Sequence, residues 1–187
     1  MKKLILLLAL MVMSIAANAQ FKCVPGGLEA EDGKTFIVVP IEGTQQELYN
    51  KAKTAITSIF VSAKDVISYN EPDIIVVNGE SYDESLFFKV MGMKQHFGMN
   101  YRIQLQFKDG KIRIDVPSVS LLSAPGQKNG GYSLDAGGGG SISSPCCFYK
   151  KDGKERYKGG IEAVQSYLNN LVNRITEKMQ GGADEDW

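Results

Sequence analysis

Side chains suited to acid–base, nucleophilic or metal chemistry are few and scattered in this sequence. His96 is the only histidine. It lies in the run Met93–Gly98, with no serine or cysteine nucleophile at a recognisable spacing and no second histidine at metal-ligand spacing. We interpret His96 as a turn or surface residue. The sequence therefore assigns no catalytic residue and no metal ligand.

Two further features have residue types found in functional sites, but they lack the surrounding structure that such sites need. Paired carboxylates can share acid–base work when a cleft fixes them, but Asp83 and Glu84 lie near a strand end, and Asp184–Asp186 lie in the tail. The run Gly137–Gly140 lacks the lysine and the strand-to-helix context of a phosphate-binding loop. We expect solvated charges at both acidic sites, and no cofactor.

Three cysteines could form a disulfide or leave a reactive thiol. Cys146 and Cys147 are adjacent, so a bridge between them would be strained. The spacing favours a bridge from Cys23 to one of them and leaves an odd thiol. That thiol could be part of a redox or metal site. We favour the alternative, a buried side chain that packs as a small apolar group.

Four aromatic residues border a long segment, Ser118–Gly160, that has no clear periodicity. They can form an interaction surface or anchor the segment onto the sheet, and we favour anchoring. Within the segment, Ala136–Ser144 is rich in glycine and serine, which is typical of a flexible stretch. The four residues are Tyr132, Phe148, Tyr149 and Tyr157.

The elements that position these residues begin with a strand and a sharply defined helix. Thr35–Ile41 is β-branched and apolar, which predicts a strand. Thr44 and Glu47 have capping-box spacing, and an apolar stripe from Leu48 to Ile59 follows at helical intervals. Further strands are predicted at Asp73–Gly79 and Leu86–Met93.

A hairpin and a second helix complete the predicted fold. Apolar and polar residues alternate from Met99 to Val116 around a turn at Asp109-Gly110, which sets Phe107 opposite Ile112. A helical stripe then runs over 161–180. We predict an α+β fold in which two helices pack on one face of an antiparallel sheet of about five strands.

The first nineteen residues have the pattern of an export signal. Two lysines precede the apolar run Leu4–Ile15, and Ala17-Asn18-Ala19 fits the small-x-small cleavage pattern. We predict cleavage between Ala19 and Gln20, no transmembrane segment afterwards, and no lipid anchor at Cys23. The location would be the periplasm or the exterior.

The bulk numbers limit the classes of partner. The chain carries 21 basic and 21 acidic residues, so its charge gives no case for nucleic acid. The predicted organisation is a signal at 1–19, an extended segment at 20–34, one domain at 35–180 and an acidic tail at 181–187.

One stretch resembles a known family. Phe36–Thr44, continuing into Glu47–Lys53 and followed by Ile74–Gly79, is similar to bacterial exported proteins of unknown function with a TATA-binding-protein-like (TBP-like) fold. The resemblance covers about 35–116, and it departs from the family at Ala55 and Ile56, where many members carry an aromatic. It implies fold and location only, since the family has no established activity.

We therefore expect a non-enzymatic exported module that binds an envelope protein or a small ligand. The sheet face or the insertion at 118–160 would supply its site. Two alternatives remain: an envelope enzyme such as a hydrolase, whose residues meet only in the folded chain, and a structural or assembly component of the envelope. The oligomeric state is not predicted.

Overall fold

A computed structural model of the protein describes residues 20–60, 67–125, 131–137 and 146–181. In these ranges two helices accompany twelve strands. The helices are α1 (Gln45–Ile59) and α2 (Gly160–Met179). The strands are β1 (Phe21–Val24), β2 (Gly27–Ala30), β3 (Phe36–Pro40), β4 (Ile67–Asn70), β5 (Ile74–Ser81), β6 (Phe87–Val90), β7 (Met93–His96), β8 (Gly98–Lys108), β9 (Lys111–Asp115), β10 (Ser118–Leu122), β11 (Tyr132–Ala136) and β12 (Cys146–Tyr149).

The main sheet is built around the long strand β8. One edge of β8 pairs with β5, which pairs with β4. The other edge pairs with β9 and then with β10, and a register change at Val116–Pro117 separates the two. Beyond them, β3 extends the sheet from β9, and β11 and β12 extend it from β10. The predicted α+β class is confirmed, but this sheet has eight strands in the described residues, not about five.

The predicted hairpin is the centre of the sheet. Phe107 stands opposite Ile112, and Leu105 stands opposite Ile114. These inward side chains are buried. Alternation in both strands therefore separates an apolar inner face from a polar outer face.

Helix α1 begins as its sequence predicts. Thr44 accepts a hydrogen bond from the Glu47 amide, and the Glu47 carboxylate accepts one from the Thr44 amide. The apolar stripe buries Leu48 and Ile56 in the core with inward residues of β5, β8 and β9. Ala55 lies on this buried face, where a larger side chain would meet the packed core.

Helix α2 packs against α1 and against a ribbon formed by β1 and β2. The Phe21 amide donates to Asn169 Oδ1 at 2.8 Å, and Asn169 Nδ2 donates back to the Phe21 carbonyl at 2.9 Å. The segment 20–34 is thus a hairpin, not the extended segment expected. Pro25-Gly26 forms its turn, and Gly26 has φ 98. In the described ranges, neither helix is long and apolar enough to cross a membrane.

Two other regions differ from their predictions. Residues 86–93, expected as one strand, belong to the hairpin β6–β7, because Met91 and Gly92 both have positive φ and reverse the chain. In the segment 118–160, the described parts add β10, β11 and β12 to the sheet. Most of the glycine–serine stretch lies outside the described residues.

Candidate functional site

The outer face of the sheet is the most open polar surface that the strands build. Both helices pack on the inner face, so the outward side chains of β3, β9, β8 and β5 remain accessible in the described part of the chain. One of them, Val38, is 45% exposed. The outward residues are Phe36, Val38, Arg113, Asp115, Gln104, Gln106 and Ile74.

Asp115 organises the polar residues of this face. Its Oδ2 accepts hydrogen bonds from Gln104 Nε2 at 2.9 Å and from Gln106 Nε2 at 3.2 Å. Its Oδ1 accepts one from Arg113 Nε at 2.6 Å. The Arg113 guanidinium also lies over the Phe36 ring, 4.1 Å from its centre. The hydrogen bond to Asp115 and the contact with the Phe36 ring therefore hold the guanidinium in place. Its Nη groups have no hydrogen-bond acceptor in the described residues.

Beside Arg113 the outer face has a depression of about 440 Å³. Its apolar lining comes from Val38 and Ile74, and Lys108, Lys111 and Arg113 supply three cations. The one carboxylate in its lining, Asp73, accepts a hydrogen bond from Gln45 Nε2 at 2.8 Å.

Two of the cations face each other. Lys108 and Lys111 are directly opposite across the end of the β8–β9 hairpin, and neither forms an ion pair with a described residue. Opposed like charges destabilise a strand pair. An anionic group bound in the depression would remove that repulsion.

The predicted aromatic surface is instead a packed cluster. Phe148 and Tyr149 are 0% and 6% exposed, so neither is available to a partner in this conformation. Phe148 packs against Tyr132 and Tyr157, with ring centres 5.7 and 6.0 Å apart. These residues anchor β11 and β12 to the hairpin β6–β7, in line with the interpretation favoured from sequence.

The three cysteines are thiols in the structure, so the predicted disulfide is not formed there. Cys23 Sγ lies 3.7 Å from the Ile161 carbonyl on α2, and burial raises the pKa of this thiol to about 12. Cys146 Sγ and Tyr157 Oη share a hydrogen bond at 2.6 Å. Cys147 Sγ accepts one from Ser133 Oγ at 3.7 Å. Each sulfur therefore has a different neighbour.

The structure does not bring the remaining sequence candidates together. His96 is exposed on β7, where its ring lies 5.9 Å from Phe87. Asp83 Oδ1 accepts a hydrogen bond from the Ser85 amide at 2.8 Å, and bonding to Ser85 lowers the pKa of Asp83. The acidic tail and most of the Gly137–Gly140 run lie outside the described residues. Within the described ranges, no three His, Cys, Asp or Glu side chains form a group able to hold a metal ion.

Sequence reasoning identified the polar face but missed the depression. The alternation in β8 and β9 places Lys108, Lys111 and Arg113 on one face. The apolar lining needs Val38, however, and its position depends on β3 pairing with β9. No local pattern specifies that long-range pairing.

Comparison with known proteins relates the fold to solved structures. A family described as a domain of unknown function (DUF4468) with TBP-like fold matches residues 37–121. A DUF4468 family protein from Bacteroides ovatus ATCC 8483 is 14% identical with a TM-score of 0.52, over 91% of this chain and 98% of that one. A TBP-like protein from Parabacteroides distasonis ATCC 8503 is 12% identical with a TM-score of 0.50, over 78% of this chain and 90% of that one.

At these identities the two structures establish the fold alone. Comparison with curated proteins gives no match. The TBP-like resemblance expected from Phe36–Thr44 and Glu47–Lys53 is confirmed, because residues 37–121 match the DUF4468 family of domains with a TBP-like fold and unknown function.

Proposed function

We propose that this protein is an exported, non-enzymatic binding module whose outer sheet face holds a small anionic ligand. The observation that carries the proposal is the opposed pair Lys108 and Lys111 beside Arg113, next to an apolar lining. Lys108 and Lys111 form no ion pair with a described residue, so they favour a ligand that carries carboxylate or phosphate, and Arg113 offers a planar set of donors.

The apolar side of the depression narrows the ligand further. Val38 and Ile74 line the same space as the cations. A ligand with an anionic head and a short hydrocarbon tail would satisfy both parts, because the tail would cover surface that is otherwise exposed to water. We therefore expect octanoate and octyl phosphate to bind more tightly than inorganic phosphate.

Titration followed by NMR tests this proposal. Amide shifts of ¹⁵N-labelled protein are recorded with octanoate, octyl phosphate and inorganic phosphate. We expect saturable shifts on β3, β8 and β9 with the two amphiphiles. The double variant Lys111→Gln/Arg113→Gln should weaken binding about tenfold or more. Lys151→Gln, which removes an exposed charge outside the depression, is the matched control.

Two results would contradict this function. One is the absence of saturable shifts on the outer face with either amphiphile. The other is unchanged binding in the double variant, which would place the ligand elsewhere.

Export is the second part of the proposal, and it rests on the leader pattern. The support from the fold is positional, since β1 begins at Phe21, directly after the predicted cleavage site. Partly buried Cys23, with its thiol against α2, also gives no support to lipid attachment. Cell fractionation with N-terminal sequencing tests this part: we expect a chain beginning at Gln20 outside the cytoplasm, whereas an uncut cytoplasmic chain would refute export.

A further inference from the structure

The hairpin β6–β7 ends in a turn whose residues conflict with its geometry. Val90 pairs with Met93, so Met91 and Gly92 form a two-residue loop, with φ of 49 and 81. Loops with two positive φ values favour Asn-Gly or Asp-Gly. Met91 is the one non-glycine residue with positive φ in the described ranges. Local backbone energy therefore gives no reason for methionine here.

The exposure of this turn to water gives no reason for a methionine at position 91 either. Met91 is 95% exposed and Met93 is 68% exposed, while Val90 beside them is 37% exposed. We call Val90, Met91 and Met93 the apolar tip. The base of the hairpin is firmly anchored, because Phe88 is 2% exposed and packs on Phe148 with ring centres 5.4 Å apart. The fold thus holds three apolar side chains outward on a fixed support.

Lysines surround the base of the apolar tip. Lys89 and Lys94 pair across the hairpin, and the Lys89 amide donates to the Lys158 carbonyl at 3.0 Å. The Lys94 ammonium lies 4.3 Å from the centre of the Phe87 ring. None of the three lysines forms an ion pair with a described residue.

The acidic groups beside these lysines do not neutralise their positive charge. The Glu155 carboxylate accepts hydrogen bonds from the Gly159 and Ile161 amides at the start of α2. Glu162 lies with Lys89 and Lys158 around the cavity between the hairpin and α2. Of the groups around this cavity, Lys89 and Lys158 form no ion pair with a described residue, and Lys94 lies outside its lining.

From this arrangement we propose that the β6–β7 hairpin docks the protein on an anionic lipid surface, with the apolar tip inserted between the headgroups. A protruding apolar tip with lysines around its base matches the polarity and the charge of an anionic bilayer interface. The acyl chains accept the apolar groups, and the anionic headgroups attract the lysines. Unbranched methionine side chains also adapt to a fluid environment. The lysines around the base of the tip favour an anionic lipid surface over an apolar protein pocket as the binding partner.

Co-sedimentation with vesicles tests this proposal. The protein used begins at Gln20 and keeps every residue that the structure describes, because the apolar leader would itself bind lipid. We expect binding to phosphatidylcholine vesicles that contain phosphatidylglycerol, and about fivefold weaker binding for each of Lys89→Gln and Lys94→Gln. Met91→Asn/Met93→Thr should weaken binding about tenfold or more.

The methionine variant is chosen so that it will fold. Asparagine tolerates the backbone of position 91, and threonine suits a strand at position 93. Lys53→Gln is the matched control for the lysine variants, because it removes an exposed charge from helix α1 and should leave vesicle binding unchanged.

Several outcomes would overturn the proposal. Wild-type protein that ignores anionic vesicles refutes it, as does a methionine variant that binds them like wild type. Equal binding to pure phosphatidylcholine refutes the role of the lysines. Photo-methionine at position 91 should crosslink to lipid in native envelopes, and exclusive crosslinking to one protein would instead identify a protein partner.

Discussion

The hairpins β8–β9 and β6–β7 both have two-residue connections, but the chemistry at their ends is opposite, and the first loop residue has positive φ only in β6–β7. In β8–β9 the turn is Asp109-Gly110, and it is tied to the fold: Asp109 Oδ1 accepts from the Gln45 amide at 2.7 Å, and the Gly110 amide donates to the Gly43 carbonyl at 2.9 Å. In β6–β7 the turn is Met91-Gly92, and Met91 is 95% exposed.

The two turns differ in whether their residues have a role within the fold. Asp109-Gly110 is explained fully by what it does for the backbone and for helix α1. Met91 worsens both the backbone energy and the solvation of its turn, and the proposed lipid contact would account for it. The predictions below test this distinction, beginning with the largest expected effect.

The two hairpins should depend equally on their buried bases. Phe88 and Phe107 are each 2% exposed, so Phe88→Ala and Phe107→Ala should each lower the free energy of unfolding by about 3–5 kcal/mol. Urea unfolding followed by circular dichroism measures this loss. Phe87→Ala is the matched control and should cost far less, because Phe87 is only partly buried. A loss below about 1 kcal/mol for Phe88→Ala would show that the base is not anchored.

The two turns should respond differently to alanine. Asp109→Ala removes the acceptor of a helix N-terminal amide and should lower the free energy of unfolding by about 1 kcal/mol. Met91→Ala should change it by less than about 0.5 kcal/mol. Equal losses in the same urea experiment would remove the distinction between the turns.

Asparagine at position 91 should stabilise the protein. Because asparagine tolerates positive φ better than methionine, Met91→Asn should raise the free energy of unfolding by about 0.5–1 kcal/mol. Val90→Asn, one residue earlier in β6, is the control and should give no gain. A destabilised Met91→Asn protein would mean that the methionine has a structural role.

The smallest effect concerns the helix that Asp109 supports. Hydrogen bonds from Thr44 lower the pKa of the Glu47 carboxyl below its ordinary value of 4.5. A lowered pKa in the folded state means that Glu47 stabilises the protein at neutral pH, and that this stabilisation is lost as the pH falls below 4.5 through the folded value. Glu47→Gln should therefore lower Tm at pH 7, with a difference that shrinks toward pH 3. A constant difference would exclude ionisation as its cause.

Most of the central fold was predictable because its signals are local. The capping box at Thr44 and Glu47, the Asp109-Gly110 turn and the helical stripe before Gly181 each lie within a few residues of the feature they specify. Strands β4, β10, β11 and β12 were missed for the opposite reason. The pairing of β11 with β12, for example, joins segments that have weak patterns of their own.

The sequence by itself determined two amphipathic helices, a polar and an apolar sheet face, and the order of the central elements, because side-chain periodicity is a property of each segment alone. Only the tertiary structure decided that Val38 lies beside Arg113 and Lys111, that Phe148 is buried, and that Met91 is exposed at a turn with positive φ. These outcomes depend on which distant segments pair and what covers them, and that is set by the shared burial of apolar surface across the whole chain.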